Sequence, residues 1–476
     1  MEMTDRAARN LSLEQIDAQT AIHPFTELRT FSENGSWVID RGEGIYITDN
    51  KGDTYIDAMA SLFCVNIGYG RTEVADAIAE QAHKLCFHHN FAGNSNEPEI
   101  ELTDMLVNEL LPKNISKVLL SSSGSEANDA NFKFAWMYHY LRGNKNKRKI
   151  IGREGGYHGV TVAGASACGI PYMHTGFNLP LEDFRVKVSK PHYYRNAKPG
   201  ESERDYAKRL GKELDETIER EGADTVAAFI AEPILGAGAC IAPPEGYFDE
   251  VHKVCKKHDV LFIADEVITG FGRTGDWFAA QRYNFQPDMM TLSKGITSAY
   301  MPLAAAAISE DVWRVLCDGI PSKEIPFFAS GSTASGHQIS CAAAVANIKL
   351  MRDEGMVENS DKTGAYFKGQ LVERFADHPL MGEISGDGLM IAIELVADKE
   401  TKEILNLEWD VSHRLFDLCF EEKLITRGFF GVNRTSFAPP LTINESEVDE
   451  VCDRFGRALN KLTDELMADG RWSPKG

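Results

Sequence analysis

The chain has no run approaching the ~18 uninterrupted apolar residues of a membrane span. Its opening, "MEMTDRAARN", is charged and lacks the apolar core of a signal peptide. Its nine cysteines are scattered without any C-x-x-C spacing, which excludes a disulfide frame and reads as reduced, intracellular thiols. A cytoplasmic protein is the expectation. Positive charge is scarce as well: 50 basic against 71 acidic residues leave a net charge of -21. Nucleic acid and anionic membrane both need concentrated positive charge, so neither is an expected partner. The nearest approach to a basic run, "NKNKRK" at 144–149, reads as a solvated loop. There is no internal repeat and no low-complexity tract.

What is present is an ordinary globular composition, 43% apolar and 25% charged over 476 residues, enough for one or two sizeable cores. Within the first 70 or so residues, "GEGIYITDNKGDTYIDAM" holds two short alternating runs joined at Asp49-Asn50-Lys51-Gly52, the pattern of a β-hairpin. From about residue 115 strand and helix patterns alternate. "KVLLSSSG", "KIIGREG", "VAAFIAEPI", "VLFIADEVI" and "MMTLSKG" are strand candidates, and "SEANDANFKFAWMYHYLRG" and "GYFDEVHKVCKKHD" are helices between them. Such alternation predicts an α/β fold with a largely parallel sheet covered by helices on both faces. Beyond about residue 335 helices dominate, with a short strand at 389–396. The last helix is marked by an Asn444/Glu447 capping box and an apolar stripe of Val448, Val451, Phe455, Leu459, Leu462 and Leu466. The two chain ends are expected to form a smaller α/β domain, giving boundaries of 1–70, 71–334 and 335–476.

Ligands of open α/β sheets bind beyond the carboxyl ends of the strands, and three unusual stretches sit at such ends. "SSSGSEAN" (121–128) runs from a strand through small residues into a helix start, where a close backbone and free N–H groups favour an anion such as phosphate. It has neither the lysine nor the spacing of a nucleoside triphosphate loop, and taken alone it is also consistent with a plain helix cap. "FIADEVI" (262–268) places two carboxylates in an apolar strand; a buried Asp265 needs a partner, such as a protonated ring nitrogen, a metal or a structural ion pair. Lys294 follows a short strand among Ser, Gly and apolar neighbours, where desolvation would lower its pKa and free the amine as a nucleophile. Asp265 and Lys294 are 29 residues apart, about one βαβ unit, so both can face one crevice. An anion cradle, a buried aspartate and an isolated lysine are together what pyridoxal 5'-phosphate (PLP) requires.

Seven ordered stretches, "VNIGYGR", "SSGSEAND", "GYHG", "AEPILGAGA", "ADEVITGFGRTG", "LSKGITSAYMPL" and "STASGHQ", carry a resemblance over most of the chain. It resembles the class III aminotransferases of PLP fold type I, and among them the pyruvate-dependent omega-transaminases. The resemblance implies that Gly124 and Ser125 hold the cofactor phosphate, joined by Thr333 from a neighbouring subunit. It implies further that Tyr157 and Val267 cover the two faces of the pyridine ring, that Asp265 keeps the ring nitrogen protonated, and that Lys294 carries the cofactor and moves the proton. Phe63, Phe91 and Ala237 would line the substrate pocket, and Arg427 would bind the carboxylate of a keto-acid acceptor. An amine donor and a keto acid such as pyruvate are the implied substrates, with a homodimer, possibly paired into a tetramer, as the implied assembly. Glu232 would hydrogen-bond near the cofactor or pair with an arginine. Phe63 stands where Trp is frequent. Gln338 follows His337 where Pro is common, a change expected to affect backbone stiffness only.

Competing readings have weaker support. "GFGRTG" (270–275) matches a dinucleotide fingerprint, but the next strand ends at Lys294 rather than at the acidic residue such a site needs. His252, Cys255 and His258 are spread round one helix, read as solvated, and no H-E-x-x-H occurs, so no metal is expected. No G-x-S-x-G elbow is present. An aminomutase or decarboxylase could use the same cofactor residues, whereas a non-enzymatic scaffold would need none of them.

Overall fold

A computed structural model describes residues 11–474. At its centre is a seven-stranded sheet in the order Ile115–Ser121, Ala304–Ser309, Met289–Leu292, Leu261–Asp265, Val226–Ala231, Lys149–Arg153 and Arg185–Val188. Only Ala304–Ser309 runs antiparallel to its neighbours. The five strand candidates read from 117–294 all lie in this sheet. Their near-continuous apolar character follows from burial on both faces. Along Leu261–Asp265, Leu261 and Ile263 enter one core and Phe262 and Ala264 the other, the period of two expected for a pleated strand. Asp265 therefore faces the same side as the 18-residue helix Gly124–Leu141, whose Ala127, Ala130 and Phe134 pack on that face.

Two four-stranded sheets flank this layer. In one, Tyr46–Asp49 and Thr54–Asp57 form the expected hairpin, its turn held by the Asp49 carboxylate accepting from the N–H groups of Lys51 and Asp53. Leu424–Ile425 extends that sheet by pairing in parallel with Thr54–Asp57, so the two ends of the chain are joined by backbone hydrogen bonds. The other sheet contains Met381–Asp387, Met390–Leu395, Arg434–Phe437 and Arg427–Gly428. The final helix, Glu445–Ala468, has the Asn444/Glu447 capping box and buries its whole predicted stripe.

Some local expectations are corrected. Within the 144–149 run, residues 144–148 form an exposed loop except at Lys147, which is buried with its ammonium satisfied by the carbonyls of Val226, His258 and Asp259. Three carbonyl acceptors replace the lost water shell, which makes the burial tolerable. Cys255 is likewise no solvated helix residue; it sits in the main core, while His258 pairs with Asp215 at 2.5 Å. The crossover between Leu261–Asp265 and Met289–Leu292 is mostly turns, with one four-residue helix, Ala279–Arg282. The "GFGRTG" glycines open no helix there. Their loop instead delivers the fully buried Arg273, which donates to Asn66 Oδ1 at 2.7 Å and to the carbonyls of Leu389 and Pro439.

Candidate active site

Asp265 and Lys294 end neighbouring parallel strands, and Asp265 is in register with Thr291. Asp265 is 3% exposed. Its Oδ2 accepts from Asn128 Nδ2 and from His158 Nδ1, both at 2.8 Å. Asn128 is itself oriented, donating to the His158 carbonyl and accepting from Thr291 Oγ1 at 2.6 Å. Among the described residues Oδ1 takes only the Val267 N–H at 3.2 Å, so it is the oxygen left for a ligand. Its neighbour Glu266 serves the scaffold instead. It accepts from Thr269 Oγ1 and from the N–H groups of Ala279 and Ala280, capping the short crossover helix, and burial pushes its carboxyl up to about 7.

Lys294 stands in a tight turn with φ of +48°. Its Nζ donates to the Leu62 carbonyl at 2.7 Å and lies 5.8 Å from the centre of the Phe63 ring. Desolvation lowers its pKa to about 8; the charges of Arg427 and Arg273 act in the same direction, against Cys64 and Asp265. A large fraction of the amine is therefore neutral near pH 8, as a nucleophile or proton carrier requires.

The helix start lies against this pair. Ser123 caps Gly124–Leu141 by accepting from the Glu126 N–H, which leaves the N–H groups of Gly124 and Ser125 at the helix mouth. A Cβ on Gly124 would come within 2.9 Å of Val267 Cγ2, so glycine is required for the helix to approach the strand end. Gly159, at φ of +115°, approaches Ser125 so closely that a Cβ would sit 2.5 Å from its Oγ; that oxygen accepts from the Val160 N–H.

The loop before Gly159 carries the half-buried Tyr157, whose hydroxyl is pushed up to about 12 by desolvation. Its N–H is held by Glu232 Oε2 at 3.3 Å, while Glu232 Oε1 accepts from the Gly236 N–H at 3.2 Å. Glu232 thus ties together the loops of Tyr157 and Ala237, which pack on one small cluster of Ala165, Cys168, Ile170 and Met173. Burial raises its pKa, opposed by the positive charges of His158 and Arg153. The arginine it faces is Arg153, at 3.8 Å, and not Arg427. Arg427 is half-buried, with its guanidinium 5.8 Å from the Phe63 ring and 5.6 Å from the Phe429 ring. Its Nε has no hydrogen-bond partner, and it forms no ion pair among the described residues.

The sequence pattern of the aminotransferase class-III family matches residues 30–459. A diaminobutyrate--2-oxoglutarate transaminase of Halomonas elongata is 42% identical over 95% of this chain and 97% of its own length. A mitochondrial gamma-aminobutyrate transaminase of Solanum lycopersicum is 37% identical over 92% of this chain and 84% of its own. The crystal structure of the omega transaminase from Pseudomonas jessenii in complex with PMP superposes with a TM-score of 0.92 at 42% identity, covering 96% of this chain and 99% of that one. The chain is a class III aminotransferase.

Its fold is accordingly that of the PLP fold type I transaminases, and its cofactor is PLP. The residues present fit that group: an anion cradle at Gly124 and Ser125, a carboxylate oxygen left open on Asp265, and an amine of lowered pKa on Lys294. Of the residues expected at the site, the fold gathers Lys294, Phe63 and Arg427 on one side, Gly124, Val267 and Asp265 on another, and Tyr157 with Ala237 on a third.

It does not gather Phe91 or Thr333. Both are exposed, on neighbouring loops where the Phe91 ring lies beside Gly331. Among the described residues neither makes a hydrogen bond or ring contact with Lys294, Asp265 or Tyr157. Gln338 does more than relax the backbone: its amide donates to the His88 carbonyl and accepts the His88 N–H, pinning the segment that leads to Phe91.

Two residues of this aminotransferase escaped the sequence reading. Asn128 had a usable signal, lying one helical turn from Gly124 and so on the same helix face. His158 sat inside "GYHG", but only the Tyr157 ring drew notice, and nothing local reveals that the imidazole turns inward to Asp265.

Proposed function

We propose that this aminotransferase moves an amino group from an amine or omega-amino acid to a keto acid such as pyruvate, in two alternating half-reactions. Arg427 carries the reading: a guanidinium beside the lysine, lying over two phenylalanine rings, without a carboxylate of its own among the described residues. Such a group suits a small acceptor carboxylate, held bidentately during one half-reaction. Phe63, Phe429 and Ala237 leave the same space apolar when an uncharged amine enters in the other.

When bound, PLP supplies a carbonyl that takes up the amine nitrogen and a ring that withdraws electrons from the carbon losing its proton. The chain supplies the rest. Gly124 and Ser125 would hold the phosphate at the helix mouth, and Tyr157 and Val267 would cover the two ring faces. Asp265 Oδ1, fixed through His158 and Asn128, would keep a proton on the ring nitrogen. Lys294 Nζ, once free, would take the proton from the substrate carbon and return it on the other side of the transferred nitrogen.

Thr333 and Phe91 would complete the site of a second copy, making the enzyme a homodimer. The exposure of Phe91, Phe87 and Phe327, at 49%, 39% and 65%, supports a covered surface there. The small domain would combine 1–70 with 335–476 around 71–334, as the parallel pairing of Ile56 with Leu424 supports. Nine cysteines without a disulfide support a reducing compartment such as the cytoplasm, and no described helix is long and apolar enough to cross a membrane.

Arg427→Ala is expected to raise the KM for pyruvate by about 30-fold, the loss of one charge-assisted contact, with little change for an aldehyde acceptor. Steady-state kinetics with both acceptors checks this; equal losses for the two would overturn the carboxylate role. A second expectation concerns pH. Lys294 is protonated below about 8, so capture of added PLP by cofactor-stripped enzyme should quicken about tenfold per unit as pH rises toward 8 and then level. Stopped-flow absorbance reads the profile; an amine of ordinary lysine pKa would give rates still climbing toward pH 10.

A further inference from the structure

Strand Thr54–Asp57 ends at a carboxylate that no catalytic step uses. Asp57 is 1% exposed, yet its oxygens are fully engaged: Oδ1 accepts from the Met59 N–H at 3.0 Å, and Oδ2 from the Ser61 N–H at 2.6 Å and the Tyr69 hydroxyl at 2.5 Å. The loop it holds is unusual. Ala60, Ser61 and Phe63 have φ of +44°, +60° and +61°, so three residues with side chains adopt left-handed backbone within four positions. Such a conformation persists only where its surroundings over-determine it. This loop delivers two groups to the site: the Leu62 carbonyl, which accepts from Lys294 Nζ at 2.7 Å, and the Phe63 ring, flanked by Lys294 and Arg427.

We propose that Asp57 is a positioning residue for Lys294: it fixes the 60–63 loop so that the Leu62 carbonyl receives the lysine amine whenever that amine is not bonded to the cofactor. The role rests on Lys294 being the attachment residue, as proposed above. During turnover Nζ is displaced by the incoming amine and must stay close enough to move a proton. A backbone acceptor on a rigid loop holds it near without the charge of a carboxylate, which would keep it protonated. Tyr69 anchors the far side of Asp57, and Arg273 supplies a compensating positive charge.

The test is a spectrophotometric titration of the holoenzyme with a donor amine and its ketone product at varied ratios, reading the visible band lost as Lys294 is released. Asp57→Asn puts an amide N–H against either the Met59 N–H or the Ser61 N–H and frees the loop. The form with released lysine then loses its acceptor, so about tenfold more donor relative to ketone should be needed to bleach the band. Tyr69→Phe keeps both backbone bonds to Asp57 and should shift the ratio in the same direction by less. A purely structural role would lower the melting temperature and leave the ratio untouched. Unchanged ratios in both variants would overturn the proposal, as would an unchanged Tyr69→Phe if Asp57→Asn fails to fold. A parent enzyme whose visible band no donor can bleach would instead remove Lys294 from the attachment role, and the Asp57 proposal with it.

Discussion

Lys294→Ala is expected to lower kcat by at least about 10⁴-fold, because on the proposed reading one amine would both carry the cofactor and transfer the proton. The protein should still fold. Truncation leaves the Leu62 carbonyl without its donor and removes a contact with the Phe63 ring. These losses amount to about 1–3 kcal/mol, against a typical stability of about 5–15 kcal/mol. Borohydride reduction followed by peptide mapping provides the independent check: the parent enzyme should carry its reduced cofactor on the peptide containing Lys294, and the variant should carry none. A tag elsewhere in the parent enzyme, or activity surviving in the variant, would defeat the assignment.

Asp265→Asn should cost about 10³-fold in kcat while leaving the enzyme coloured, since Lys294 and the helix mouth are untouched. The change is isosteric, and its effect follows from which oxygen is already engaged. Oδ2 must remain an acceptor for Asn128 and His158, so the amide nitrogen falls in the place of Oδ1, next to the Val267 N–H. Donor then faces donor, and no negative charge remains to hold a proton on a ring nitrogen. Turnover and the visible spectrum, measured together, separate this from loss of cofactor. A kcat within tenfold of the parent value would mean that another group supplies the charge.

The chemistry was legible where it broke a pattern. Asp265 and Lys294 stood out because a charge at the end of an apolar strand needs a reason; the structure buries Asp265 in register with Thr291 and sets Lys294 in the turn just beyond that neighbouring strand. Gly124 was readable only in company: a strand running through small residues into a helix start is equally a plain helix cap until a buried aspartate and an isolated lysine stand beside it. Five of the seven central strands were plain, since strands buried on both faces are almost uninterrupted apolar runs; the alanine-rich Ala304–Ser309 and the half-exposed edge strand Arg185–Val188 were not read. What stayed hidden depends on direction or on main chain. His158 points inward and Lys147 folds back onto three carbonyls, and neither orientation is encoded in a local pattern. The Leu62 carbonyl is invisible because every residue has one; only the left-handed turn that aims it is special. Phe91 and Thr333 were named through resemblance alone, and a single chain leaves them on its surface.

The aspartate closes one row of a hydrogen-bonded ladder, and the lysine follows two residues after the adjoining row ends at Leu292; the spacing of those rows, about 4.8 Å, is a property of the peptide group rather than of any side chain. That ladder would act as a ruler for the proposed reactive centre, while Phe63, Ala237 and Arg427, which on this reading would meet the substrate, hang from turns and a short edge strand. Drift in the latter can retune which amines are accepted without disturbing the former, so a lineage built on this plan can change its diet and keep its chemistry.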